Sequence, residues 1–150
     1  MGYNLPVGRQ RVILPEDNTL SRDDLLEITD KPIVPEQVIA RMEWDECGAL
    51  VTFTGRVRSR SEGKRVLSLE HDATKYGAER ILSDIAVEMR KKWDLGQLAF
   101  CYRTGPVEPG GITLVIAVAA FHRPEAFAAC QYAIDSFKQT VSAKEVLENG

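Results

Sequence analysis

Cysteine is scarce in this sequence: Cys47, Cys101 and Cys130 are its three, an odd number, far apart and without a C-x-x-C pair. That argues against a disulfide framework, a zinc site or a dithiol redox centre, and fits buried thiols in a reducing cytosol. Histidine is rarer still. His71 and His122 have no partners at metal-ligand spacing, so no metal site is expected. Positive charge is not in excess either: 19 Lys and Arg against 22 Asp and Glu leave a net charge of -3. A general nucleic-acid binder needs the opposite balance, so any basic site must be local. No stretch approaches the roughly 18 apolar residues of a membrane span, and Met1 to Arg11 lacks an apolar run after a basic residue. A cytoplasmic protein away from membranes is the expectation. Neither G-x-S-x-G, a P-loop nor G-x-G-x-x-G is present, so hydrolase, nucleoside-triphosphate and dinucleotide chemistry lack their usual anchors.

What is present suits one globular domain. The chain has 150 residues, 44% of them hydrophobic, and no internal repeat, low-complexity tract or interdomain linker. Residues 1 to 24 mix Gly, Pro, Asn and charges without period and read as an arm; residues 25 to 150 read as the domain. Leu25 to Thr29 suits a short strand, and Pro35 suits the first turn of a helix whose Val38, Ile39 and Met42 share a face. Gly48 to Arg58 alternates as a strand, with Val51, Phe53 and Val57 on one side and Thr52, Thr54, Arg56 and Arg58 on the other. Val66 to Ala73 is a second strand, expected to pair with the first as a hairpin with a long tip. Tyr76 to Trp93 carries apolar residues at helical spacing, and Leu98 to Arg103 and Ile112 to Phe121 are strands, the latter apolar nearly throughout. Pro124 opens a last helix with Phe127, Cys130, Ile134, Phe137 and Val141 as its stripe. The order predicts an α+β fold, a mainly antiparallel sheet with amphipathic helices packed on it.

Three constellations can carry chemistry. Arg56-Val57-Arg58, with Arg60, Lys64 and Arg65, is a positive patch on an acidic chain, and arginine forks match phosphate or carboxylate oxygens. The same residues also suit a solvated hairpin tip. Phe121-His122-Arg123-Pro124 lies where a buried strand ends and a helix begins, so backbone N–H groups, helix dipole and two basic side chains converge as for an anion. A histidine that merely caps the helix is the plainer alternative. Lys138 lies eleven residues after Phe127, about three turns, at the margin of the stripe. Partial desolvation there would suit it to proton transfer, although many such lysines only reach out to water. Lys144 and Glu145 follow the expected helix end and read equally as last-turn charges.

Taken in order, Gly48-Ala-Leu-Val-Thr-Phe-Thr-Gly-Arg-Val-Arg58, Leu69-Glu70, Arg103-Thr104-Gly105, Ala120-Phe-His-Arg-Pro-Glu-Ala-Phe-Ala-Ala129 and Asp135 to Lys138 resemble the molybdopterin synthase large (catalytic) subunit family, over roughly Leu25 to Glu145. The resemblance implies a hammerhead-type α+β fold that forms a homodimer. It also implies a heterotetramer with two copies of a small ubiquitin-like sulfur-carrier subunit. The implied reaction is sulfur transfer: two sulfurs pass from that subunit's C-terminal thiocarboxylate to cyclic pyranopterin monophosphate, with no permanently bound cofactor. By matching motif, Lys138 and Lys144 would be catalytic. Arg56, Val57, Arg58, His122, Arg123, Lys138, Lys144 and Glu145 would meet the substrate. The chain departs from the family at Val141-Ser-Ala-Lys-Glu145, where a Pro-Ile-Trp-Lys-Lys-Glu-like segment is usual. Tyr102 stands in place of a common histidine, and His71-Asp72 in place of a common Tyr-Glu pair. The shortened tail motivates a second reading, a non-catalytic homologue that binds the small subunit or a phosphorylated pterin without turnover.

Overall fold

The computed structural model describes residues 24–149. The proposed arm therefore lies outside the described residues except for Asp24. Leu25–Thr29 forms β1, and Pro35–Ala40 forms α1, opened by its proline. Ala49–Arg56 forms β2, Arg60–Ser61 β3 and Lys64–His71 β4. Lys75–Lys92 forms α2, whose cap Thr74 accepts a hydrogen bond from the Gly77 amide at 3.0 Å. Leu95–Arg103 forms β5, Ile112–Ala120 β6, Arg123–Thr140 α3 and Ala143–Leu147 β7.

The four-stranded sheet runs β1-β5-β6-β2; β1 is parallel to β5 and the other pairings are antiparallel. Its third strand explains the near-continuous apolar run of the sequence. Side chains alternate between the two faces of a strand, so a strand covered on both sides must be apolar at every position. Leu114, Ile116, Val118 and Ala120 of β6 join Leu98, Phe100 and Tyr102 of β5 beneath α2 and α3. Val115, Ala117 and Ala119 face the other way with Ala99 and Cys101, against Val38 and Met42 around α1.

Of the stripe expected on α3, Cys130, Phe137 and Val141 are buried and Ile134 packs against the core, but Phe127 does not belong to it. Ala126, Ala129 and Ala133 are wholly buried with Cys130 and Phe137, whereas Phe127 is 61% exposed. Three alanines remove the side-chain standoff and let the helix lie close to β2 and β6. Lys138 accordingly sits at the helix's exposed margin, next to the buried Phe137.

The expected hairpin is also corrected. β2 pairs with β6, not with β4, through registers from Ala49↔Ala120 to Arg56↔Ile112, with a shift at Gly55/Arg56. Past that bulge the chain leaves the large sheet. Val57 turns inward to a small cluster with Val66 and Val107, and β3 and β4 form a separate hairpin of the second sheet, ordered β3-β4-β7. Its tip is tight, two residues long, with Glu62 at φ 55° and Gly63 at φ 76° between Ser61 and Lys64. Positive φ at both central positions suits the right-handed twist of the flanking strands.

The two sheets are tied by residues 104–111. The Leu69 and Val107 amides each donate to the other's carbonyl, at 2.9 and 2.8 Å, and the Gly110 amide donates to the Val57 carbonyl at 2.8 Å. Behind the sheet, the Asp24 carboxylate is wholly buried, pairs with Arg90 at 2.6 Å and accepts from the Leu98 amide at 2.8 Å. A buried carboxylate is retained at such cost only when its partners are well placed, and removing one partner strands the other. Asp24→Ala is therefore expected to lower stability by about 3 kcal/mol, the low end of the range because Arg90 keeps some solvent. Urea denaturation of the two chains measures it, and a change below about 1 kcal/mol would show the pair to be dispensable.

Candidate active site

The bulge at Gly55/Arg56 and the tie at 104–111 set the first part of the site. Arg56 and Arg58 are exposed on either side of the buried Val57 and line a hollow of about 450 Å³ with Ser59, Pro109 and Gly110. Arg56 Nε donates to the Gly110 carbonyl at 3.3 Å. Arg58 makes a two-pronged contact with Glu145: Nε to Oε2 at 3.1 Å and Nη2 to Oε1 at 3.3 Å, while Nη2 also donates to Ser61 Oγ at 2.9 Å. Hydrogen bonding to Arg58, reinforced by Ser61, holds the Glu145 carboxyl below the ordinary carboxylate range, and Glu145 in turn raises Arg58.

Lys144 and Glu145 do not end a helix, as the sequence suggested. They lie on β7, which pairs with β4 through Leu69↔Glu145, Glu70↔Lys144 and His71↔Ala143. Five residues with two adjacent charges carry a weak strand signal of their own; β4 supplies the partner that makes them one. Alternation turns Glu145 inward beside Leu147 of the small cluster and sets Lys144 opposite Glu70 on the outer face. A second hollow, about 470 Å³, opens here between Glu70, His71, Asp72, Ser142 and Lys144.

His71 is the residue that sequence reasoning left out of the site. Its ring stands edge-on to Tyr102 at 5.8 Å and to Phe137 at 5.6 Å. Burial first, then the charge of Lys138, lowers its proton affinity below that of ordinary imidazole. The Tyr102 hydroxyl is buried without a hydrogen-bond partner among the described residues, and burial, with Glu70 and Asp72, pushes its pKa up to about 12. The signal for His71 was its place directly after Leu69-Glu70, where His71-Asp72 stands in place of a Tyr-Glu pair common in the family. Arg103, on the same strand as Tyr102, is likewise mostly buried; its Nη1 lies 3.5 Å from Glu108 and its Nε has no partner among the described residues.

His122 and Arg123 stand elsewhere. His122 caps α3 without a side-chain hydrogen bond, and both side chains are exposed. Gly48 fixes this junction: its amide donates to the Phe121 carbonyl at 3.2 Å, and a Cβ there would lie 2.7 Å from that oxygen. Ala49↔Ala120 is the end of the β2–β6 ladder next to His122, and Arg56↔Ile112 is the other end. Eight residues of β2 span about 25 Å at ~3.3 Å each. Along α3, Arg123 and Lys138 are separated by 138 minus 123, or 15 residues, about 22 Å. One chain therefore gathers Arg56, Arg58, His71, Lys138, Lys144 and Glu145 at one end, and His122 and Arg123 at the other. Among the described residues, no three His, Cys, Asp or Glu side chains stand together as metal ligands do.

Residues 28–140 match the family described as MoaE protein. The chain belongs to that family. It is 41% identical over 127 residues to the molybdopterin synthase catalytic subunit of Thermoplasma volcanium, covering 83% of this chain and 93% of the relative. It is 40% identical over 126 residues to that of Bacillus subtilis, covering 83% and 80%. Among solved structures, the molybdopterin synthase of Staphylococcus aureus superposes with a TM-score of 0.74 at 35% identity, covering 83% of this chain and 92% of that one. The fold is also shared, at 16% identity and a TM-score of 0.62, with a chain in the complex of subunits 1 and 2 of the Helicobacter pylori molybdopterin-converting factor, over 83% of this chain and 86% of that one.

The Arg58–Glu145 contact generates a measurable expectation. Because Glu145 titrates below the ordinary range when folded, its contribution to stability is present above that range and lost as pH falls through the lowered value. Arg58→Ala should return the Glu145 carboxyl toward ordinary behaviour, so that it protonates at higher pH. Carboxyl NMR titration of both chains reads this directly, and an unmoved Glu145 would mean that Ser61 alone sets it.

Proposed function

We propose that this chain is the catalytic subunit of a molybdopterin synthase. In this reading it holds cyclic pyranopterin monophosphate while two sulfurs are transferred, one from the C-terminal thiocarboxylate of each of two copies of a small ubiquitin-like partner. The observation that carries the reading is the gathering of Arg58, Lys138 and Lys144 around the β4–β7 join, in a chain of this family.

The chemistry asks for three things, and each has a candidate. The thiocarboxylate and the substrate phosphate are both anions, so the site must draw two negative groups together; Arg56, Arg58 and Lys144 supply positive charge where the chain as a whole is acidic. Attack of the sulfur on the pterin, followed by water attacking the acyl carbon to break its bond to sulfur and free the partner's tail as a carboxylate, develops and relocates charge, and an ammonium such as that of Lys138 can stabilise it or carry a proton. The extended tail of the partner needs a place to lie. β7 ends the order β3-β4-β7, so its outer edge is open among the described residues, with Leu67 and Val146 exposed beside it. An extended peptide can add to such an edge through main-chain hydrogen bonds. The Helicobacter pylori structure, a complex of two subunits, supports a partner of this kind. No resident cofactor is required, because the sulfur arrives on the partner.

His122 and Arg123 enter through symmetry. At about 22 Å from Lys138 along one helix, they cannot touch the same small ligand within one chain. A homodimer in which each copy lends the start of its α3 to the other's pocket would complete the phosphate site, with the small subunits making a heterotetramer. The departure at Val141 to Glu145 keeps Lys144 on a formed strand, so the substitution of that segment does not by itself favour a non-catalytic homologue. Cys47, Cys101 and Cys130 are free thiols, in keeping with a cytoplasmic setting.

Mass-spectrometric detection of dithiolene product, after mixing the chain with a thiocarboxylated small subunit and the cyclic pterin monophosphate, tests the reading. Lys138→Ala is expected to abolish product while leaving the unfolding midpoint unchanged; full activity in that chain would refute the role given to Lys138. Arg123→Ala should lose most product too. Mixing Lys138→Ala and Arg123→Ala chains should restore about a quarter of the sites, since half of random dimers are mixed and one of their two pockets is intact. No restoration would place Arg123 and Lys138 outside a shared pocket.

A further inference from the structure

Arg103 opens a motif, Arg103-Thr104-Gly105, to which sulfur transfer assigns no task. It ends β5 opposite Thr29 of β1, and its side chain is only 11% exposed. Its Nε is buried without a hydrogen-bond partner among the described residues, and its ion pair there is with Glu108, Nη1 to Oε1 at 3.5 Å. A guanidinium is costly to keep in such a place on one long contact. An apolar side chain of similar length would pack there at less cost.

What Arg103 does hold is the turn at 108–111. Glu108 starts this turn, and the Gly111 amide closes it by donating to the Glu108 carbonyl at 2.9 Å. Pro109, Gly110 and Gly111 bring no polar side chain, so the Glu108 carboxylate is the one side-chain handle on the turn. Gly110 sits at φ 87°, and a Cβ on Gly111 would lie 2.5 Å from Val107 Cγ1. The chain thus doubles back tightly through the residue type that has the most conformational freedom to lose. From this turn the Gly110 amide donates to the Val57 carbonyl at 2.8 Å, and the Gly111 carbonyl accepts from the Val57 amide at 2.9 Å. The Gly110 carbonyl accepts from Arg56 Nε at 3.3 Å. Pro109 and Gly110 are one wall of the 450 Å³ hollow that Arg56 and Arg58 line. A continuous set of contacts therefore runs from a mostly buried guanidinium to an arginine fork of the hollow.

We propose that Arg103 is a positioning residue: through Glu108 it fixes the 108–111 turn, and the turn fixes Arg56 for the anionic pterin substrate. In its choice of ligand the inference rests on the sulfur-transfer reading above. A fork loses affinity for an anion when the carbonyl that orients it moves, whereas charge stabilisation during sulfur transfer, assigned to Lys138, is untouched. Arg103 governs how tightly substrate is held, not how fast held substrate reacts.

Arg103→Met roughly keeps the volume, and the carboxylate it releases is 64% exposed and stays in water, so the variant should fold; a thermal melt establishes that. Amide hydrogen exchange, which needs no substrate, should show Gly110 exchanging about tenfold faster or more while Leu114 to Ala120 stay protected. With the full chain and its thiocarboxylated partner, KM for cyclic pyranopterin monophosphate should rise about tenfold and kcat stay within about twofold. Arg103→Lys, which still reaches toward Glu108 with a charge, should bring KM most of the way back. Glu108→Gln should raise KM as Arg103→Met does, with no further rise in the double variant. Unchanged Gly110 exchange, an unchanged KM or a loss carried by kcat overturns the proposal. If the wild type forms no product, the sulfur-transfer reading falls and Arg103's part in substrate affinity with it, while Gly110 exchange still decides whether Arg103 holds the turn.

Discussion

The rest of the molecule depends on β6 being buried on both faces. From Leu114 to Ala120 no residue of this strand exceeds 3% exposure, so each face has to be roofed. Fully burying an aliphatic side chain is worth about 1.5 to 3 kcal/mol, and leaving one face open would forfeit several such terms at once. Helices α2 and α3 take one face and the α1 region the other. With its middle sealed, the sheet can offer chemistry only at its ends. One end receives the segment 104–111 and the second sheet; the other passes through Phe121 and His122 into α3.

Charge is arranged on the same plan. The chain is acidic overall, yet the segments that meet the two ends of β6 carry arginine, lysine and histidine that the core cannot accept. At the β4–β7 end these groups are already engaged: Arg58 with Glu145, and His71 with two aromatic rings and the field of Lys138. In the function proposed above, an incoming anion would meet a site that must exchange partners, with Glu145 giving up Arg58, and not a bare positive surface. Such an exchange sharpens selectivity, since only a ligand that replaces the carboxylate's two hydrogen bonds recovers what it displaces.

Much of this was legible in the residues because it is local. The continuous apolar run of β6, the helical spacing of Tyr76 to Trp93 and the prolines opening α1 and α3 each express a rule that operates within one element. The ordered motifs from Gly48 to Lys138 carried the family. What escaped reading is nonlocal. β2 chose β6 over its sequence neighbour β4, because pairing is decided by which faces can be covered, not by proximity along the chain. β7 is a strand only because β4 lies beside it. The contact face of α3 was read only in part, because alanine counts little on a scale of apolarity: Ala126, Ala129 and Ala133 lie on it with Cys130 and Phe137, while Phe127 faces solvent. Arg58 was read as a free fork; its carboxylate partner lies 87 residues away in sequence.

The alanines of α3 set a length scale for the dimer proposed above. A helix held close to a sheet by three alanines, with Phe137 buried among them, neither slides nor rolls without collision. The basic groups at its two ends are consequently the fixed marks of a ruler about 22 Å long. Any second copy that is to complete the first must approach so that this rigid interval spans from one pocket to the other. In the proposed dimer, the geometry of pairing would thereby be set by a row of the smallest side chains, none of which need touch the other copy.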